Sequence, residues 1–369
     1  MELMQAHNQW KSRPADERFL SLTELDTFCL EQRRLSASKV VSSRALTAMP
    51  VGDTHDALAL SGPQGNPVAL SHWSFGQLAT RAGAPAGYLR TIPSEIAADC
   101  INYGLKHSRD VEEIGILLTK SPDTVTARAV TGPNYGRIWN STISSALVKH
   151  FGDGLTGRFR IPGEFGKQVP ITADTTTLYA SDRDLWVFLA DEQNRIELPH
   201  RRNGRTGSLA RGFYVSNSEV GAGKFVWGQF LFDFMCCNHI IWGVEEFQEI
   251  SIRHTKGAPD RYIEQIQPAI RAMTNASTVG ITDVLKSAQR QRLDDVDTFL
   301  ANRFTASQAK AISAAHMADE GRPIETLWDA VTGITAYARE LEHADTRVGL
   351  EREAGKILKL ANTKQLTFA

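Results

Sequence analysis

The sequence predicts an α+β protein with a mixed or antiparallel central sheet, flanking helices and a C-terminal α-helical region. Three observations predict it. Before residue 257, short apolar runs either alternate with a period of two or are apolar on both faces, as strands require. Turn signals such as Gly62-Pro63 and Ser121-Pro122 separate these runs. After residue 258, apolar residues recur at i, i+3, i+4 and i+7 instead. The expected organisation is an extension and helix at 1–36, an α+β body at 37–257 and a helical region at 258–369.

Taken in order, residues 1–19 are polar, and Ser21 with Glu24 spells a capping box for a first helix bearing Leu22, Leu25, Phe28 and Cys29. Strand-like runs at 39–49, 57–60 and 67–70 read as a hairpin or meander. Ser74 is the expected cap of a short helix stopped by Gly83 and Pro85. A second helix covers about 94–107, with Ile96, Ala97, Cys100 and Leu105 expected inward. Strands follow at 113–119 and 123–130, then a turn at Pro133 to Gly136 and a helix from Asn140 or Ser141 to Gly152. The run LWVFLA at 185–190 is apolar on both faces and belongs in the middle of a sheet. In the helical region, Pro268 is expected to kink the first helix. Thr305 with Gln308 forms another capping box, and 324–341 carries an unbroken apolar stripe.

Composition narrows the function classes. Lysine and arginine total 41 against 42 aspartates and glutamates, a net charge of −1, so no global field draws the chain to nucleic acid or anionic lipid. Any such binding needs a local patch. The four cysteines, Cys29, Cys100, Cys236 and Cys237, show no zinc spacing, and a reducing cytoplasmic setting is expected. Asp233, Asn238 and His239 interrupt the longest apolar run, which excludes a membrane span of roughly 20 residues. No cofactor, metal ligand or catalytic residue is assigned.

The stretch from Arg211 to His254 concentrates the unusual choices. Gly221, Gly223 and Lys224 resemble a phosphate loop only superficially: Ser218 stands at the first glycine position and Phe225 follows the lysine. A glycine turn into a strand is the better reading. That strand, 225–236, places Val226, Phe230 and Phe232 on one face and Trp227, Gln229, Leu231 and Asp233 on the other. Asp233 needs a partner if buried. Asn217, Ser218, Asp233, Asn238, His239 and His254 form a candidate polar cluster. Cys237 beside His239 invites a thiol-nucleophile reading, but Ile240, Ile241 and Trp242 provide no cationic setting. His254 reads first as a structural histidine. Arg201, Arg202, Arg205 and Arg211 sit in a glycine-containing loop suited to phosphate contacts, with Lys224, Arg253 and Lys256 as further cations. Phe213, Tyr214 and Trp227 offer rings for base stacking.

Several segments carry a family resemblance. They are TVTARAVTGPNYGRIWN at 124–140, NSEVGAGKF at 217–225, CCNHIIWG at 236–243, SIRHTKG at 251–257 and WDAVTGITAYARE at 328–340. In this order, from about residue 70 onward, the chain resembles the phage- and plasmid-like proteins grouped as domain-of-unknown-function family 932. It departs from their pattern at Ser218 to Gly221, where a more polar turn is the rule, and at His239, where a small polar residue is usual. The resemblance implies a mobile-element setting and a DNA-related role.

The leading expectation is a non-enzymatic protein that binds single-stranded DNA through the basic loop, as a homo-oligomer and without membrane contact. One alternative is a hydrolase or nuclease using Asp233, His239 or His254, which requires those side chains to converge. Another is a host-takeover or scaffold protein that acts by oligomerisation.

Overall fold

Local patterning sorts the chain into two sheets and a helical layer. The computed structural model describes residues 17–51, 57–107, 113–162, 171–173, 176–198, 207–233, 239–240, 249–275, 279–341 and 344–361. The first part contains β1 (Arg18–Phe19), α1 (Leu22–Arg34), β2 (Ser36–Ser42), β3 (Ala48–Val51), β4 (Ala57–Ser61), β5 (Pro67–Leu70), α2 (His72–Arg81), α3 (Ala86–Leu89), α4 (Ser94–His107), β6 (Glu113–Lys120), β7 (Val125–Thr131) and α5 (Asn140–Phe151). The middle contains β8 (Phe159–Arg160), β9 (Leu178–Ala180), β10 (Leu185–Asp191), β11 (Ile196–Leu198), β12 (Gly207–Asn217), β13 (Phe225–Asp233), β14 (His239–Ile240) and β15 (Ile250–Ile252). The remainder is helical: α6 (Ala258–Asn275), α7 (Val279–Arg290), α8 (Val296–Ala301), α9 (Ala306–Glu320), α10 (Leu327–Glu340) and α11 (Ala344–Leu360). The α+β class and the helical C-terminal region are as expected.

The smaller sheet has the order β2-β6-β7-β5-β4-β3. β3, β4 and β5 form a meander, but the run expected at 39–49 splits: its first part is β2, which pairs with β6 at the opposite edge, and β5 pairs parallel to β7, with Val68 opposite Val125 and Leu70 opposite Ala127. Ser71, not Ser74, caps α2, because its hydroxyl accepts the Ser74 amide at 3.1 Å. In α4, Ala97, Ala98, Ile101 and Leu105 face the core with Leu78, Ile114 and Val130. Ile96, 53% exposed, and Cys100 point outward, which corrects the expected facing. Gly104 sets this register by letting α4 approach closely: a Cβ there would lie 1.9 Å from the Ala82 carbonyl oxygen.

The larger sheet runs β1-β9-β10-β12-β13-β14, with β8 on β10, β11 on β12 and β15 on β13. The expected central strand at 185–190 is β10. Its neighbour β12 occupies residues read from sequence as the end of a basic loop. β12 and β13 form an antiparallel pair from Ser216–Val226 to Leu209–Asp233. One face buries Phe213, Val215, Phe225 and Trp227 against α1, α5 and α6, and the Phe213 and Trp227 rings stack at 4.4 Å. The other buries Tyr179, Phe188, Tyr214 and Phe230. Each such side chain contributes about 1.5–3 kcal/mol on full burial.

α6 runs unbroken through Pro268. Tyr262 meets Phe225 edge-on at 5.0 Å, and Ile266, Ile270 and Met273 complete the same core. The next core therefore begins after α6 rather than at residue 258: α7, α10 and α11 close over Ile196, Leu209 and Leu231 of the larger sheet. The capping box at Thr305 and Gln308 forms as expected, and Thr326 with Asp329 makes another. Burial works against the Asp329 charge, but bonds from Arg322 and from the Glu325 and Thr326 amides outweigh it and hold its pKa below the usual range.

Candidate functional site

The end of β12 leaves the larger sheet and inserts between it and the smaller one. Nearly every polar group in this crossing is held by a side chain. Asn217 Nδ2 donates to the Ile138 carbonyl at 2.9 Å and to Asn140 Oδ1 at 2.8 Å. Ser218 Oγ donates to the Arg183 carbonyl and accepts the Ala222 amide, a local turn that serine is suited to close. The Ser218 carbonyl accepts from Tyr135 Oη at 2.8 Å. The Glu219 carbonyl accepts from Arg137 Nε at 2.7 Å, and the Val220 carbonyl accepts from Trp73 Nε1 and Gln77 Nε2.

Glu219 is the charge at the centre, 4% exposed. Its carboxylate lies 3.1 Å from Arg128 Nη1 and accepts the Asn140 amide at 2.8 Å. That amide is the first of α5, so the negative charge also meets the positive end of a helix. Burial lowers the pKa of Arg137, opposed by Tyr135 and Glu219, while burial raises that of Tyr135 and keeps its phenol a donor. Arg137 also lies over the Tyr135 and Trp139 rings, at 5.2 and 5.4 Å.

His254 joins from β15. Its ring stacks on Tyr135 at 4.9 Å and Nδ1 lies 3.1 Å from the Gly136 carbonyl, which assigns the proton to Nδ1. Nε2 is buried without a partner among the described residues, and burial pushes the pKa from 6.5 down to about 4. The folded state therefore resists a proton that the unfolded chain accepts below pH 6.5. Stability is expected to fall between pH 6.5 and about 4, by up to about 3 kcal/mol, and this component should level off below. His254→Asn should lack that component in urea titrations across this range. An equal slope in the variant would refute the assignment.

The same end of β13 carries a basic rim. Phe225 pairs with Ile252, so Lys224 and Arg253 flank that register, and the backbone at 255–256 lies against Gly136. Lys224, Arg253 and Lys256 are exposed, and no ion pair to a described residue holds their side chains. Arg261 braces the rim from α6 by donating to the Arg253 carbonyl and Thr255 Oγ1.

Other expected residues lie elsewhere. Arg211 is 3% exposed and pairs with Asp191 at 3.3 Å, beside Arg158. It sits inside the larger sheet and cannot serve a phosphate on the surface. Burial, then the Arg158 charge, lowers its pKa, against the pull of Asp191. Phe213, Tyr214 and Trp227 are core residues, closed to base stacking. Arg201, Arg202, Arg205 and Asn238 lie outside the described residues. Asp233 and His239 stand at the opposite end of β13 from Phe225, roughly 26 Å away at about 3.3 Å per residue. The candidate polar cluster is thus split: Asn217, Ser218 and His254 come together, while Asp233 and His239 do not join them. The backbone therefore keeps His254 apart from Asp233 and His239, so a hydrolase site drawing on all three is not formed.

A cleft of about 1250 Å³ opens beside the crossing. Arg81 at the end of α2, Asp99, Tyr103 and His107 on α4, and Thr131 and Tyr135 line it, with Gly221 at its edge. Sequence reasoning missed this cleft and the Glu219 network. The available signals were Arg128 in an apolar strand and Glu219 among small residues. Among the described residues no group of three or more His, Cys, Asp or Glu is placed to hold a metal, and no helix is long and apolar enough to cross a membrane. No protein-family model, curated protein or solved structure matches this chain.

Proposed function

We propose that the protein binds single-stranded DNA, without catalysing a reaction on it, along the rim formed by Lys224, Arg253 and Lys256. The observation that carries this reading is the rim itself: three exposed cations, free of acidic partners among the described residues, on a backbone braced by Tyr135, Gly136 and Arg261. Pre-positioned cations engage phosphates without first surrendering an internal ion pair. With a net charge of −1, the attraction is local to such a patch. A further support is that segments 124–140, 217–225 and 251–257, which carry the resemblance to the phage- and plasmid-like family, meet here. Binding of several copies along one strand, and a phage or plasmid setting, belong to the same proposal.

Fluorescence anisotropy with labelled oligonucleotides over a salt series tests it. Affinity should fall linearly on logarithmic axes with salt. Replacing Lys224, Arg253 and Lys256 together by alanine should reduce the slope by about 2, at about 0.7 per phosphate contact on single strands. Salt-insensitive binding, or an unchanged slope in a folded triple variant, would sink the proposal.

A further inference from the structure

We infer that the cleft between α2 and α4 takes an unstacked nucleobase of the bound strand, favouring bases that carry an amino donor over thymine. This rests on the single-strand reading and names the subsite that goes with it. Much of the cleft's polar lining is already committed. Gln77 bonds the Val220 carbonyl and the Val130 amide, Thr131 Oγ1 donates to the Gly115 carbonyl, and the Tyr135 hydroxyl serves Ser218.

What remains available is a distinct set. Arg81 is half-buried, has no ion pair or hydrogen bond through its guanidinium to a described residue, and lies over Gly132, where an added Cβ would stand 3.4 Å from Nη2. Asp99 is exposed and likewise unengaged. Tyr103 is 68% exposed and leans on His107, ring centroids 4.4 Å apart. Asp99, Tyr103 and His107 recur at i, i+4 and i+8, so α4 presents all three along one side. The close approach of Gly104 to the Ala82 carbonyl fixes the spacing between α4 and the end of α2 that carries Arg81.

An aromatic platform, a planar cation and a carboxylate acceptor together match a nucleotide. The ring stacks on the base, the guanidinium meets phosphate or a base oxygen, and the carboxylate accepts from an exocyclic amine such as that of cytosine or adenine. Thymine has no such amine. The volume exceeds the roughly 300–1,000 Å³ of sites for isolated small ligands, as suits a base arriving with its backbone. The cleft is also continuous with the rim: Tyr135 and Gly221 line its edge, Tyr135 stacks on His254, and Lys224 follows Gly221 by three residues.

Anisotropy with 15-nucleotide dC, dA, dT and abasic strands tests the inference on the full chain. Wild type should bind dC and dA strands more tightly than dT. Tyr103→Ala and Arg81→Ala, both outside the core, should each weaken dC binding about tenfold, with Tyr103→Ala leaving abasic binding unchanged. Asp99→Leu, which removes the acceptor, should erase the preference over dT. If wild type binds and the Tyr103 and Arg81 variants bind equally well, the cleft inference falls and the rim reading stands. If wild type binds no strand but takes up dCMP in a Tyr103-dependent way, the cleft stands and the rim reading falls. Binding of neither probe overturns both.

Discussion

Glu219→Ala is expected to lower folding stability by about 3–5 kcal/mol, the usual loss when one partner of a buried ion pair is removed. The magnitude follows from what the substitution strands. Arg128, itself 6% exposed, keeps a full charge with the Asp182 carbonyl as its remaining acceptor among the described residues. The Asn140 amide loses its acceptor at the start of α5. Both groups are buried, so neither readily regains its lost bond from water. Glu219→Gln keeps an acceptor for the amide but not the charge, so it should fall between wild type and alanine. Replacing both partners, as Arg128→Met with Glu219→Leu, should recover much of the loss, because the stranded charge goes with its partner. Urea denaturation with an unchanged m-value is the measurement. A loss below 1 kcal/mol for Glu219→Ala in a folded protein would show that the pair is open to solvent.

The second large effect is expected at Gly136. A Cβ there would stand 2.0 Å from the Thr255 carbonyl oxygen and 2.9 Å from that of Lys256, both backbone atoms with no side-chain freedom to yield. Gly136→Ala must push the 255–256 segment away, stretching the Gly136 amide bond to the His254 carbonyl and the His254 Nδ1 bond to the Gly136 carbonyl. The expected cost is about 1–3 kcal/mol or more. Oligonucleotide affinity should fall with it, since Lys256 and Arg253 move with that segment. Gly223→Ala is the control: an added Cβ meets nothing within 4 Å, and Gly223 neighbours the same rim. Equal stability and affinity for the two variants would contradict the packing of the rim against the 133–137 turn.

Local signals explain what the sequence made legible. The capping box at Thr305, the doubly apolar strand at 185–190 and the stripe at 324–341 depend on neighbours within one or two turns; the first two appear where expected, while the helix of the third starts only at Leu327, behind the Thr326 cap. β12 was hidden because Gly207, Arg211 and Gly212 break the pattern of a buried strand. What permits it is Asp191, twenty residues away, which neutralises Arg211 inside the sheet. The outward face of α4 was misread for a related reason, since its register depends on Gly104 packing against Ala82. For the site, the segments around 217–224 and 253–256 stood out. The parts that brace them, Tyr135, Arg137, Glu219 and Gln77, act across separations that no periodicity records.

The smaller sheet closes its own core from a continuous stretch, residues 46–130, whereas the crossing ties it to the larger sheet chiefly through hydrogen bonds and one ion pair. Apolar support there is modest, from Leu117, Ala129 and Val220 with Trp73 and Trp139 beside them. Two cores joined in this way are expected to behave as separate cooperative units, with the joint opening while both cores persist. Amide exchange at 218–222 then reports the free energy of docking rather than that of global unfolding. On the proposed single-strand reading, a strand lying on the rim with a base in the cleft would span both units, and its binding energy would hold them together.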